Sequence, residues 1–283
     1  MGDKIVDGSI EWIKDRDTGE VVGYKDAQGG ERFPFVQTLY QSGVPFWIPP
    51  GDGGANGLSF TGTRGVFTLS AEAPMASAFT SLASGCYVYL PAGAGGLATG
   101  GWYWCVPADG TSGEVFADVY SGTGKPAFVA SPTALPNLSA GRITQVTSEI
   151  FGPSFTMPGG SMGPGGVSQY TLKWLTSSTA GSKTIRVRAN SSVNWAAVVV
   201  TNTYNDQVVT QTRSNLGTQS RQVGNRVATG HGWDGGPSAT TYSSDVTTID
   251  TSADVALSVS GQLSANTDSI IVVPMQFIVQ YGG

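Results

Sequence analysis

Along residues 86–120, CYVYLPAGAGGLATGGWYWCVPADGTSGEVFADVY, aromatic side chains return at every second position of short runs separated by Gly, Ala and Pro. Tyr87 and Tyr89, Trp102 and Trp104, and Val115, Ala117 and Val119 keep the period-two spacing of half-buried strands. The stretch predicts a three-strand meander, and nothing in it positions a nucleophile, a general base or a metal. If the run ending at Leu90 pairs antiparallel with the run beginning at Gly101, Cys86 falls opposite Cys105. The two cysteines are expected as small buried residues without a disulfide, because the chain is expected to fold in a reducing cytoplasm.

That expectation rests on the opening MGDKIVDG, which carries charges where a secretory signal needs an apolar segment. No apolar run approaches the roughly 18 residues of a membrane span, so no membrane insertion is expected. Forty glycines, fifteen prolines and 12% charged residues leave little material for long helices, and the chain reads as mainly β. A net charge of −5 lacks the basic stripe that nucleic acid requires.

Residues 1–40 read as a docking arm. Five basic and eight acidic residues fall before Val36, out of fifteen and twenty in the chain. IEWI and VVGYKD flank a turn at Asp17, Thr18 and Gly19, and a second turn follows at Gln28, Gly29 and Gly30, which predicts a hairpin. A hairpin this short must dock on something, either its own chain or a partner. Ile10, Trp12, Ile13, Val21, Val22 and Tyr24 give the arm its apolar side and are the expected docking residues. Residues 41–58 read as a Pro/Gly linker kept out of ladder pairing, with Phe46 and Trp47 lying against a surface or reaching a neighbouring subunit. Within residues 59–143, the aromatic β module, one short helix is expected over Ala71–Leu82, and residues 121–142 read as an extended strap.

From residue 144 to 283 strands recur at near-regular spacing: YTLKWL, KTIRVRA, WAAVVVT, QVVTQTR, DVALSVSGQL and SIIVVPMQFIVQY, with others from Phe155 and near Val246. This cadence predicts a two-sheet, jelly-roll-like sandwich. Pro274 marks an edge or a bulge in the last strand. The glycines of FTMPGGSMGPGG end in Val167 rather than Gly-Lys-Ser/Thr before a helix, so this segment reads as a turn between two sheets and not a phosphate cradle.

No catalytic residue, cofactor or metal site is expected. His231 sits in GHGWDGG near Asp234 but has no nucleophile or second ligand. The cysteines lack Cys-x-x-Cys spacing. Asp245, Asp250, Asp254 and Asp268 fall where Asp serves turns, although a loop gathering two of them would suit calcium or glycan cleavage. The stretch 217–244 reads as a long polar loop offering Arg221, Arg226, His231, Trp233 and Tyr242 to a surface glycan or a protein, or burying Trp233 between subunits.

YVYLPAGAGG, GWYWC, GEVFADVY and ASPTALP, followed by FTMPGGSMGPGGVSQYTLKW, TAGSKTIRVRA and DTSADVALSVSGQLSANTDSIIV, resemble paired modules in structural proteins of tailed bacteriophages. The resemblance covers residues 58–283. Where similar proteins carry a Ser/Thr-rich turn after the aromatic strand, this chain has PADGTSG. The resemblance implies a fibre, spike or decoration subunit on the virion surface, often a homotrimer, that meets the major capsid protein or a tail component through its uncovered N-terminal arm. A head fibre or capsid decoration subunit is the leading expectation, a tail fibre or tail spike recognising host surface glycan the second, and a glycan-cleaving depolymerase the third.

Overall fold

The computed structural model describes residues 11–14, 21–25, 31–32, 36–51, 57–69, 82, 84–109, 111–177, 181–201, 206–231 and 241–281. Twenty strands lie among them. The first eleven are β1 (Glu11–Lys14), β2 (Val21–Lys25), β3 (Glu31–Arg32), β4 (Val36–Gln41), β5 (Phe46–Ile48), β6 (Leu58–Phe60), β7 (Val66–Leu69), β8 (Cys86–Leu90), β9 (Gly101–Pro107), β10 (Ser112–Tyr120) and β11 (Gly141–Arg142). The remainder are β12 (Ile150–Met157), β13 (Val167–Thr176), β14 (Ser182–Ala189), β15 (Val193–Thr201), β16 (Asp206–Asn215), β17 (Gln222–His231), β18 (Thr241–Thr247), β19 (Val255–Leu263) and β20 (Ile270–Gln280). The expected helix over Ala71–Leu82 lies outside the described residues apart from Leu82.

The strands form three sheets. β1, β2 and β3 pair with one another, and four strands follow the order β12-β19-β14-β15. The third sheet has thirteen strands in the order β11-β6-β7-β10-β9-β8-β5-β20-β13-β16-β17-β18, with β4 also paired to β20. The chain is mainly β, and its C-terminal half is a sandwich of the four-stranded sheet on one end of the thirteen-stranded one. The strand order is simpler than a jelly roll. β14 and β15 form a hairpin in one sheet, and β16, β17 and β18 form a meander in the other, instead of crossing between sheets at each step.

The aromatic meander forms in the expected register, with Cys86 opposite Cys105 and Leu90 opposite Gly101. β8 and β9 are buried on both faces, whereas β10 is half-buried as expected, with Val115 inside and Val119 exposed. Phe46, Tyr87, Trp102 and Trp104 join the sandwich interior on one face, while Val88, Tyr103 and Cys105 join a second apolar cluster with Trp47, Phe60 and Phe67 on the other. Trp47 and Phe67 have ring centroids 5.9 Å apart although β5 and β7 are four places apart in the sheet, about 19 Å if it were flat. The sheet therefore curls over its second core. Gly85 makes the tight entry to β8 possible: its φ is 97°, and a Cβ there would collide with the Trp104 ring.

The reading of 41–58 as a linker outside any ladder is corrected. Phe46–Ile48 is a strand, antiparallel to β20 and parallel to β8, bracketed by Pro45 and Pro49. One sheet consequently runs through both the 59–143 and the 144–283 segments, and β5 joins them. The arm boundary also moves. Residues 36–41 pair with β20, and Tyr40 is 4% exposed with its ring stacked on Phe155 at 5.0 Å, so the arm ends before Val36.

Pro274 sits at a bulge, but in a central strand: Thr171 pairs Gln276 and Leu172 pairs Pro274, which leaves Met275 as the extra residue. On the opposite side of β20, β5 pairs residues 270–272 and β4 pairs 276–280. Proline, which has no N–H to donate, thus occupies the gap between two neighbours. The glycine-rich segment after β12 carries the chain from the four-stranded to the thirteen-stranded sheet, as expected. Gly166 packs so closely on the Met162 carbonyl that any Cβ would collide with it.

Both cysteines are free and fully buried, and burial together with the neighbouring Cys86 pushes the Cys105 thiol well above its usual range. Ellman's reagent is expected to find no reactive thiol in the native protein and two per chain in denaturant without reductant. A single equivalent, or none, in denaturant would indicate a disulfide.

Candidate attachment and binding surfaces

The N-terminal hairpin forms as expected at the level of backbone pairing. Trp12 lies opposite Tyr24 and Ile13 opposite Gly23, and Lys14 pairs with Val21, so Val22 falls at a bulge. β3 extends the hairpin through Tyr24 with Arg32 and Lys25 with Glu31. The register brings together the two expected docking aromatics, Trp12 and Tyr24, and Ile10 lies outside the described residues. Phe46 and Trp47, expected to reach another subunit, are instead 3% and 0% exposed inside their own chain. Phe46 packs edge-on against Trp102 and Tyr120, and the Trp47 indole N–H donates to Ser269 Oγ at 3.0 Å. Their hydrophobicity serves the union of two strands, leaving no surface for a neighbour.

The stretch 217–244 is not one loop. Gln222–His231 is β17 and Thr241–Thr247 is β18, which leaves a short turn around Arg221. Arg221 is exposed at that turn, Arg226 pairs with Gln211 and Ser243, His231 pairs with Asp206, and Tyr242 pairs with Val227. Arg221 and His231 stand at opposite ends of β17, roughly 30 Å apart along ten residues. A single binding patch cannot use both. Trp233 lies outside the described residues. β17 escapes sequence reading because its inward positions are polar or small: Gln222 is fully buried and Gly224 is buried, while Val223 faces outward and is half-buried.

The aspartates with described side chains serve the fold. Asp250 Oδ1 accepts the Ser252 N–H at 2.9 Å, and Asp254 Oδ1 accepts the Gly159 N–H at 2.8 Å. Asp268 faces Lys183 Nζ at 3.6 Å with both side chains fully buried. Burial pushes the Lys183 ammonium below its usual range, and the Asp268 carboxylate opposes that shift. Asp245 lies on β18. No group of three metal-ligating side chains occurs among the described residues.

On the outer side of the four-stranded sheet, Glu149 accepts two hydrogen bonds from Arg188, at 2.9 and 2.6 Å, and lies 3.6 Å from Arg186. The Ser260 hydroxyl also donates to it. Burial pushes the Glu149 carboxyl up, but the bonds from Arg188 and Ser260 and both guanidinium charges outweigh this and hold it below its usual range.

A groove that the sequence does not announce runs beside β4. About 800 Å³ in volume, it is lined by Thr38, Gln41, Thr123, Lys125, Ser154 and Thr156 around Tyr40 and Phe155. A second recess of about 650 Å³ shares Gln41 and Lys125 and continues past Phe128 and Met275, which are 50% and 43% exposed. The strap forms one wall. It is held by hydrogen bonds from Tyr87 Oη to the Ala127 carbonyl at 3.2 Å and from Tyr120 Oη to the Gly124 carbonyl at 2.6 Å. Burial pushes the Tyr120 phenol up to about 12, so it remains a donor at neutral pH. Hydroxyls, an amide and an ammonium suit a ligand rich in hydrogen-bond acceptors, and no carboxylate is among the described lining residues.

Two stability predictions follow from these ion pairs. Lys183→Met leaves the Asp268 carboxylate buried without its ammonium and is expected to cost about 3–5 kcal/mol in urea unfolding, with Lys183→Met/Asp268→Leu recovering at least half. The depressed Glu149 pKa contributes stability that is present above the unfolded value near 4.3 and lost as pH falls through the folded value. Glu149→Gln is expected to lower stability at neutral pH by about 1–3 kcal/mol and to flatten its fall in acid. Parallel unfolding curves for wild type and variant across the acid range would exclude that role.

In comparisons with known proteins, no protein-family model, no curated protein and no solved structure matches this chain.

Proposed function

We propose that the chain is a structural protein of a tailed bacteriophage virion: a non-catalytic head fibre or capsid decoration subunit, multimeric, whose N-terminal arm docks on the capsid and whose sandwich projects from the particle. The observation that carries this reading is the division of the chain into two sheet systems. β1, β2 and β3 pair only with one another, while every other described strand belongs to one of the two sheets that make the body. With strands of 4, 5 and 2 residues the unit is little more than a hairpin, which is marginal on its own, and a receiving surface accounts for its presence. The sequence resemblance over residues 58–283 supports placing that surface on a virion. Glu149, Lys183 and Asp268 are committed to ion pairs within the fold.

The groove beside Lys125 favours a second reading, a tail fibre or tail spike that holds host surface glycan, because its hydroxyl and amide lining matches sugar hydrogen bonding.

Particles lacking the protein, mixed with full-length chain or with a chain lacking residues 1–35, provide the test. Truncation before Val36 keeps β4 and buried Tyr40 intact, so lost binding reports undocking and not unfolding. Electron microscopy is expected to show decoration of the head by the full-length chain alone. Decoration confined to the tail would favour the second reading, and equal binding by both proteins would remove the anchor.

A further inference from the structure

The two outer faces of the sandwich differ in chemistry. The four-stranded sheet presents Arg186, Arg188 and Glu149 in a charged network. The opposite face spans five adjacent strands, β20, β13, β16, β17 and β18. Its outward positions are those that alternate with buried Tyr170, Leu172, Val209 and Gln211. Cross-strand rows such as Gln169 with Thr212 and Asn225, or Thr171 with Thr210, fill this face, and Val208 and Val246 stand 39% and 57% exposed. Among its described side chains Lys173 alone is charged. Interface cores are depleted of charge in this way, whereas a solvated sheet face ordinarily carries charges.

We propose that this charge-poor face is where a second copy of the same chain packs. Thr, Ser, Gln and Asn each donate and accept hydrogen bonds, so a face built of them can satisfy an identical face, whereas a face carrying several like charges would repel its copy. The extent is adequate. Five strands about 4.8 Å apart, with eight residues at about 3.3 Å each, give a patch of roughly 24 by 26 Å. This approaches the roughly 800 Å² that each partner contributes to a stable interface. Among the described side chains neither face supplies a deep apolar anchor, so the association depends on area and matched polar rows. The proposal deepens the reading of the chain as one subunit of a multimer and rests on that reading for its place on a particle.

Sedimentation velocity of the full-length protein at micromolar concentration is the test. Wild type is expected to sediment as an oligomer. Thr210→Lys, at the centre of the face, and Val246→Lys, at an exposed position that tolerates a charge without refolding the core, are expected to raise the dissociation constant at least about tenfold. Thr184→Lys, on the outer side of the four-stranded sheet, is expected to leave association unchanged. Circular dichroism on each variant verifies folding. A monomeric wild type overturns the proposal, as does an oligomer untouched by Val246→Lys or weakened equally by Thr184→Lys. Binding of the same proteins to particles is scored separately: a monomeric wild type that still decorates heads refutes the shared face and leaves the virion reading standing, whereas an oligomer that never binds particles does the reverse.

Discussion

The pairing of three residues, Phe46–Ile48, holds the remainder together. β5 receives β20 on one side and β8 on the other, and the β5–β8 contact is the parallel pair among the described strands. Each of its side chains is buried, Phe46 and Ile48 toward the sandwich interior and Trp47 toward the curled aromatic module. A polar relay fixes its position: Trp47 Nε1 donates to Ser269 Oγ, which donates in turn to the Ile48 carbonyl at 3.0 Å. Removing β5 would separate two apolar clusters and expose the edges of both β8 and β20. Such a short strand therefore carries a load out of proportion to its length.

At the far end of the sandwich, polar groups take over the work that hydrophobic contacts do elsewhere. Arg213 is fully buried on β16, with its guanidinium 5.1 Å from the centre of the Trp195 ring, and it donates to the Trp195 carbonyl on β15 and to Thr247 Oγ1 on β18. Gln211 donates to the same carbonyl. Further along, Gln222 links Asn215, Gln219, Thr247 and Ile249 through both ends of its amide. Satisfied networks of this kind fix strand order because a slip of one residue would leave several buried donors without acceptors.

These two regions also mark where sequence reading succeeds and fails. Alternation located β8, β9, β10 and most strands after Phe155, because their buried faces are apolar and period two survives. It placed Cys86 opposite Cys105 for the same reason. β17 was hidden because Gln222 and Gly224 occupy its inner face, so the hydrophobic signal is inverted. β5 was hidden because prolines on both sides read as a linker, although the same prolines define where a short, fully buried strand begins and ends. The groove beside β4 was not legible, since it depends on bringing Thr38, Lys125 and Ser154 together from three distant segments. The self-paired arm was legible as a hairpin, and its charge-rich composition stops before Val36, but nothing in VQTLYQ announces that this segment pairs with the last strand of the chain.

At four irregularities in the ladders, a backbone group at the break is used by another part of the chain. Met275, extra at the β13–β20 bulge, accepts the Ser42 N–H at 3.1 Å and so pins the turn between β4 and β5. Trp195, extra at the β14–β15 bulge, turns its carbonyl to Arg213 and Gln211. Phe151, at the β12–β19 irregularity, accepts the Trp102 indole N–H at 2.7 Å and ties the aromatic module to the four-stranded sheet. Where β10 leaves β9 between Val115 and Val119, the Ala117 N–H donates to the Thr133 carbonyl at 2.8 Å and seats the strap. Regular ladders spend their hydrogen bonds on adjacent strands and have none left for tertiary links. A mainly β chain with almost no helix must therefore interrupt its strands wherever separate sheets, straps and modules have to be joined, and these four sites are the joints that make a single body of them.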